Sequence, residues 1–429
     1  MAKRLLRKYI IYISKQLDRY PGLKKCLFLI SIRMWQLWWR IRKNFVDKTV
    51  DWDKTLIIDP VIITKTVPVR INILKDKGKV IDGDWDLPQK GSKKKSTFEY
   101  TDEYKACCQR YLNNIKWEET EHYYRRLEDI DSGRTLTGPK SRDELNDYFQ
   151  SLDLLYLKIK EGGYKTQREL KVSSRYSTST EEDEITVSIN RNGELLFTNG
   201  CHRLAIAKIL GIKEVPVKVT VRHSEWINFR KQVIAYAASQ GGKIYQPLTH
   251  PDLADIPSIY EGEDRFNIIR QNITAKTGTL LDIGSHWGYF CHKFEDEGFD
   301  CYAVENDPLS VYFLDKLRRA ENKKFKVFSG SIFDFQERSD FEVVLALNIF
   351  HHFLKKKSSY LKLIELFKRL RIGELFFQTA GRDEPQMENA YKNYSNDEFV
   401  AFILEHSCLR EARCIYELRG ERLLYKLYQ

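Results

Sequence analysis

Three patterns of apolar and polar positions follow one another along the chain. In the first 48 residues, apolar clusters are interrupted every few positions by Lys or Arg, which predicts two basic amphipathic helices over 3–20 and 23–45, broken at Pro21-Gly22. The second carries Leu27, Phe28, Leu29, Ile30, Trp35, Leu37, Trp38, Trp39 and Ile41. From about residue 50, short apolar runs (Leu56–Ile58, Val61–Thr64, Val67–Leu74) read as strands, and longer 3.6-period stretches (Tyr100–Tyr111, Thr120–Asp129, Arg142–Glu161) read as helices. A Lys/Ser loop at 90–96 and a polar segment at 173–182 interrupt them. Alternation at 184–189, a turn at Arg191-Asn192-Gly193 and alternation at 194–198 predict a hairpin. A helix through Leu210 with Gly211 as its C-cap and a strand at Val215–Val221 follow.

Beyond Gly241-Gly242 and Pro247 the pattern changes again. Asp264–Ala275 reads as a helix. Strands at Thr279–Ile283, Asp300–Val304, Phe325–Ser329, Phe341–Leu347 and Glu374–Gln378 then alternate with helices at Tyr289–Glu297 and 356–370. A helix at Asp397–His406 leads into a last hairpin, Ala412–Glu417 and Arg422–Tyr428, turning at Gly420-Glu421. Strand–helix alternation implies a mainly parallel α/β sheet. The boundaries are therefore an arm at 1–48, an α+β domain at 50–240, a linker at 241–262 and an α/β domain at 263–429.

Charge sharpens this division. The arm holds thirteen Lys/Arg against Asp18 and Asp47, and so carries the whole net charge of +11, while the other 381 residues are neutral. A nucleic-acid enzyme spreads positive charge over its body, so nucleic acid is disfavoured as a partner. A basic arm with Trp suits a membrane surface, with rings at the headgroup level and cations on anionic lipid. Its longest uncharged run, Cys26 to Ile32, is too short to span a bilayer. A hairpin packed on the body is the other reading of the same residues. The eight cysteines form no Cys-x-x-Cys pair, which disfavours a structural zinc. With no secretory signal they imply a cytoplasmic protein, peripheral at the inner face of the membrane.

The chemistry-bearing residues concentrate in the last domain. Thr279–Ile283 is an apolar strand containing Asp282, Gly284-Ser285-His286-Trp287-Gly288 is a turn, and a helix follows. Gly284 lets the chain turn and a ligand approach, and a helix N-terminus favours a carboxylate. Glu305 ends the next strand 21 residues after Gly284, the spacing at which an acid reaches both ribose hydroxyls of a bound nucleoside. The Gly-x-Gly-x-x-Gly of nicotinamide binders is absent. Asp-x-Gly-x-x-x-Gly resembles motif I of class I S-adenosylmethionine-dependent methyltransferases, and the terminal helix and hairpin agree with that family. The resemblance implies a seven-stranded Rossmann-like sheet and S-adenosylmethionine as cofactor. It implies cofactor binding by Asp282, Gly284, Gly288, Glu305, Asp334 (toward the adenine amino group) and Asn348. His286 stands where many members have glycine and narrows the loop. His351 and His352 sit where the acceptor enters, and a neutral imidazole there can remove a proton as methyl is transferred. Asn348 is followed by Ile349-Phe350-His351 rather than Pro-Pro-Tyr, which argues against base-amino methylation of DNA.

A second resemblance lies in the middle domain. Asn199-Gly200-Cys201-His202-Arg203, with the helix and the Val-Pro-Val strand beyond it, is similar to the core of the ParB N-terminal/sulfiredoxin-like fold over about 40 residues. That likeness implies phosphate binding by Gly200, His202 and Arg203, hence a nucleotide partner. By the sulfiredoxin analogy Cys201 is a nucleophile. As a residue at a helix start, it reads better as a small buried side chain.

Together these readings predict methyl transfer to a hydroxyl or amine of a small molecule or glycan, lipid-linked if the arm meets a membrane. The competing expectation is a nucleotide-binding switch or binding module with a degenerate methyltransferase domain. No metal site is expected.

Overall fold

The computed structural model describes residues 54–68, 76–88, 97–134, 138–166, 169, 184–418 and 422–429. The arm at 1–48, most of the strand expected at Val67–Leu74, the loop at 90–96, the segment 173–182 and the turn Gly420-Glu421 fall outside them.

Among the described residues, two sheets form within the unit Lys54–Gln429. The first uses β1 (Thr55–Ile58), β2 (Lys65–Thr66), β3 (Lys79–Ile81), β4 (Ile185–Ile189), β5 (Leu195–Asn199) and β6 (Val215–His223). Its order is β1-β6-β4-β5-β2, with β3 also on β6. β4 and β6 pair in parallel, and β4 and β5 form the antiparallel hairpin expected from the sequence. Every residue of β4 is buried, which is the signature of a strand covered on both faces. Helices α1 (Asp102–Tyr111), α2 (Glu121–Asp131), α3 (Arg142–Gly162), α4 (Cys201–Ile209) and α5 (Ser224–Ser239) surround this sheet. Thr101, Thr120 and Ser141 cap α1, α2 and α3 with their hydroxyl oxygens. The strand expected at Val61–Thr64 is instead a 3-10 turn, Pro60–Ile62. Proline supplies the helical φ there and the Asp59 carboxylate accepts the Val61 N–H, so local capping overrides β-propensity.

The second sheet follows α6 (Glu263–Asn272). It comprises β7 (Gly278–Ile283), β8 (Phe299–Glu305), β9 (Lys326–Ser329), β10 (Asp340–Leu347), β11 (Arg371–Gln378), β12 (Glu411–Leu418) and β13 (Arg422–Tyr428), in the order β12-β13-β11-β10-β7-β8-β9. β13 is antiparallel to β11, whereas β7 to β11 pair in parallel. Strand residues alternate between two cores. Leu281, Ile283, Val344, Ala346 and Phe377 face one side, with Leu363 and Phe367 of α10 (Lys357–Arg369) and Phe399 and Phe402 of α11 (Asn396–His406). Leu280, Val343, Leu345 and Phe376 face the other. There they meet Phe266 and Ile269 of α6, Phe290 and Phe294 of α7 (Tyr289–Asp296) and Leu314 of α8 (Pro308–Ala320). The helices after β7 and β10 thus leave on opposite faces, and a crevice opens beyond the carboxyl ends of these neighbouring strands, where α/β sheets bind ligands. This strand order is that of the class I methyltransferase fold.

The two sheets share one core. Trp287, Phe313, Leu317 and Ala320 of the second half cluster with Trp226, Phe229 and Val233 of α5. The segment 241–262 is packed against both halves. Ile244 and Leu253 are fully buried. Asp252 accepts a forked pair from Arg222, Nη2 at 2.6 Å, and a 2.9 Å bond from Trp226 Nε1. His250 Nδ1 accepts the Asp252 N–H at 3.2 Å, so Nε2 carries the proton it donates to Gly193 O at 2.9 Å. Thr249 donates to Glu321 at the end of α8, at 2.6 Å.

Candidate active site

The turn after β7 runs along the crevice. Gly284, His286 and Gly288 all have positive φ, 72°, 52° and 81°. A Cβ on Gly284 would stand 2.9 Å from Ile349 Cδ1 and 3.3 Å from Ile349 Cβ at a φ that side chains rarely adopt, so a larger residue would strain the turn where it passes β10's exit loop. His286 holds its left-handed conformation against steric preference, stacked on Trp287 with ring centroids 5.2 Å apart. Burial keeps its imidazole neutral, with a pKa lowered to about 4.

Glu305, at the end of β8, braces this turn. Its Oε2 accepts the His286 N–H at 2.8 Å, and its Oε1 accepts those of Asn306 and Asp307 at 2.9 Å. A carboxylate offers about four lone-pair sites, so acceptor capacity remains for a hydroxyl. Asp282 is buried beneath the turn. Burial, then the Glu305 charge, push its carboxyl up to about 7, while Arg265 opposes the shift.

Arg265 of α6 and Tyr245, Tyr260 and Gln378 were not singled out in the sequence. Arg265 is 4% exposed, donates to Gln378 Oε1 at 3.1 Å and lies 5.3 Å from the Tyr260 ring centroid. Burial lowers its pKa. Tyr245 meets Tyr260 edge-on at 5.0 Å and the His286 ring at 5.3 Å, and it accepts from Asn348 Nδ2 at 3.5 Å. An arginine on the face of α6 shared with Phe266 and Ile269 was the available signal. The tyrosines gave none, because a linker pattern carries no periodicity.

Asn348, at φ 62°, donates its backbone N–H to Gln378 O at 2.9 Å. Two residues on, α9 (Phe350–Phe353) carries both histidines, with ring centroids 4.1 Å apart. His351 is 2% exposed, whereas His352 lies at the surface. Burial, then His352, Lys355 and Arg422, lower the His351 pKa to about 3. Asp334 is exposed at the end of the 3-10 turn Ile332–Asp334, beyond β9. Of the residues singled out in this domain, Asp282, Gly284, Gly288, Glu305, Asn348 and His351 gather at the ends of β7, β8 and β10, and Asp334 lies on the β9 side.

Several buried polar atoms at this crevice lack partners: Arg265 Nε, Ser285 Oγ, His286 Nδ1, Asn348 Oδ1, His351 Nδ1 and Thr379 Oγ1. Buried polar groups are normally satisfied. The residues that carry them lie beyond β7, β10 and β11, which fits a polar ligand, and the set suits S-adenosylmethionine: a carboxylate for ribose hydroxyls, a guanidinium for a carboxylate, and aromatic rings for a cation.

In the first sheet, Gly200 has φ 88° and a Cβ there would stand 2.9 Å from Ile185 Cα, so the turn before α4 requires glycine. His202 Nδ1 lies 3.3 Å from Tyr148 Oη, and burial lowers its pKa to about 3. Arg203 is 6% exposed and spans 4.7 Å to the Tyr164 ring centroid. It donates Nη2 to Lys165 O, and its Nε and Nη1 lack partners. Burial raises the Cys201 thiol well above its usual pKa, so it is held as a neutral thiol. Among the described residues, no group of three His, Cys, Asp or Glu could hold a metal, and no helix is long and apolar enough to cross a membrane.

Fold and turn together define a class I methyltransferase architecture. No protein-family model and no curated protein matches the chain. Among solved structures it is similar to the bifunctional kinase-methyltransferase WbdD, with 16% identity and a TM-score of 0.39 over 46% of each chain. It is also similar to an S-adenosylmethionine-dependent methyltransferase from Clostridium acetobutylicum ATCC 824 (10% identity, TM-score 0.34, 40% of this chain and 92% of that one). A third likeness is to the methyltransferase domain of bacterial CtHen1-CN (13% identity, TM-score 0.32, 39% of this chain and 99% of that one). The match thus spans less than half the length of WbdD.

Proposed function

We propose that the chain transfers a methyl group from S-adenosylmethionine to a hydroxyl, or an amine, of a small-molecule or glycan acceptor. The observation that carries this reading is the set of unpartnered buried polar atoms on residues at the carboxyl ends of β7, β10 and β11. When bound, S-adenosylmethionine supplies an electrophilic methyl group. Glu305 accepts from ribose hydroxyls while holding the turn, Arg265 takes the carboxylate, and Tyr245 and Tyr260 close over the site and exclude water. Asp334 lies toward the adenine end. Proximity supplies much of the rate in such a transfer, and on this reading His351 takes the acceptor's proton. The basic arm with its tryptophans supports a lipid-linked acceptor at a membrane surface, and cells lacking a methylated lipid-linked product on thin-layer analysis would remove that refinement.

Calorimetric titration with S-adenosylmethionine and S-adenosylhomocysteine tests the reading. Micromolar binding that is lost in Glu305→Ala supports it, and no binding by the wild-type protein overturns it. A second reading, a nucleotide-binding module around Gly200, His202 and Arg203, is favoured by the two unpartnered guanidinium nitrogens of Arg203. Binding of ATP or CTP without S-adenosylmethionine would make it the better account.

A further inference from the structure

The loop after β11 carries a directional hydrogen-bond chain that ends on His351. The Glu384 carboxylate is anchored by Arg422, Nε to Oε1 at 2.8 Å and Nη2 to Oε2 at 2.6 Å, and by the Gly381 N–H at 2.8 Å. Its Oε2 then accepts Gln386 Nε2 at 2.6 Å. Gln386 Oε1 lies 3.2 Å from His351 Nε2. The backbone holds this spacing: Pro385–Met387 is a 3-10 turn begun by a proline and pinned by buried Met387, with the Met387 N–H on Glu384 O at 2.8 Å.

The protons in this chain can run only one way. A carboxylate held by a guanidinium is ionised and only accepts, so Gln386 must present its amide NH2 to Glu384. Its carbonyl oxygen therefore faces the ring, and His351 Nε2 must carry the proton to donate to it. The lone pair is left on His351 Nδ1, which is buried and has no partner. His352 has no such chain among the described residues and lies at the surface.

We infer that Glu384 and Gln386 are positioning residues that hold His351 as its Nε2–H tautomer, so that Nδ1 accepts the proton of the acceptor hydroxyl during methyl transfer; this rests on the function proposed above. As the acceptor oxygen bonds to the methyl carbon, the carbon–sulfur bond breaks and the sulfur keeps that electron pair. The oxygen's proton passes to Nδ1, giving an imidazolium that later releases it to water. An oxygen forming a third bond becomes strongly acidic, so a weak base at a fixed position is sufficient.

The test is independent of turnover. The full chain is labelled with 15N-histidine, two-bond 15N–1H correlation spectra are recorded at pH 7, and His351→Gln identifies the signals of residue 351. Expected are an unprotonated Nδ1 and a protonated Nε2 in the wild-type protein, and shifts moving toward tautomer averaging in both Gln386→Leu and Glu384→Gln. A wild-type ring protonated on Nδ1, or a tautomer unchanged in Gln386→Leu, overturns the inference. Failure of S-adenosylmethionine to bind would remove the transfer reading while leaving a positive tautomer result intact, so the two failures are separable.

Discussion

Glu305 shows how one side chain is asked to do two things. It fixes the His286, Asn306 and Asp307 amides and keeps acceptor capacity for a ligand. Replacing it with alanine should weaken S-adenosylmethionine binding by about 100-fold or more, since hydrogen bonds to a charged group contribute roughly 1.5–3 kcal/mol each. His351 leads to a pH prediction. Burial, with His352, Lys355 and Arg422, holds its pKa at about 3, so its lone pair is present throughout pH 5–8. A methyl-transfer rate measured over that range should show no loss attributable to protonation of His351. Glu321 gives the opposite kind of dependence. Burial alone would raise its carboxyl, but His292, whose Nδ1 lies 3.2 Å away, and the Thr249 hydroxyl outweigh that and bring it to about 2. A carboxyl depressed on folding contributes stability above its unfolded value, and that contribution is lost as pH falls toward the folded one. Melting temperature should therefore decline between about pH 5 and 2, and Glu321→Gln should decline less steeply over the same range.

At the scale of elements, glycines with positive φ mark where turns meet other backbone. Gly200 opens α4 with a Cβ position 2.9 Å from Ile185 Cα. Gly200→Ala strains both the turn and β4, and should lower unfolding free energy by about 1–3 kcal/mol in urea titration. The hairpin, the start of α4 and the β7–turn–α7 unit were all legible in the sequence, because strand alternation, turn residues and helix caps are local signals. Val61–Thr64 was misread because a proline and a capping aspartate outrank four β-branched residues. Gln386 and Glu384 carried no legible signal, since a relay across a loop is defined by which atoms meet rather than by spacing.

At the scale of the molecule, the two sheets are held together by the segment 241–262. Its charged centre is the Arg222–Asp252 pair, with side chains 1% and 3% exposed. Breaking a buried pair is costly because the remaining charge stays desolvated, so Asp252→Ala should destabilise by about 3–5 kcal/mol. Chemical denaturation followed by tryptophan fluorescence would report it, since Trp226 donates to the same carboxylate. The same segment delivers Tyr245 and Tyr260 to the ends of β7 and β10, beside His286 and Asn348, so the junction between the sheets and the wall of the candidate site are one element.

The sequence by itself determined the mainly parallel terminal sheet and its motif residues, Asp282, Gly284, Gly288 and Glu305. Those residues lie within one strand–turn–helix unit and the strand beside it, where local geometry dictates residue type. The tertiary structure alone decided that Arg265, Tyr245 and Gln378 reach the same crevice, that His351 rather than His352 is buried, and that a carboxylate 33 residues further on orients its ring. Those relations join distant segments through burial and hydrogen-bond direction, which no periodicity along a chain encodes.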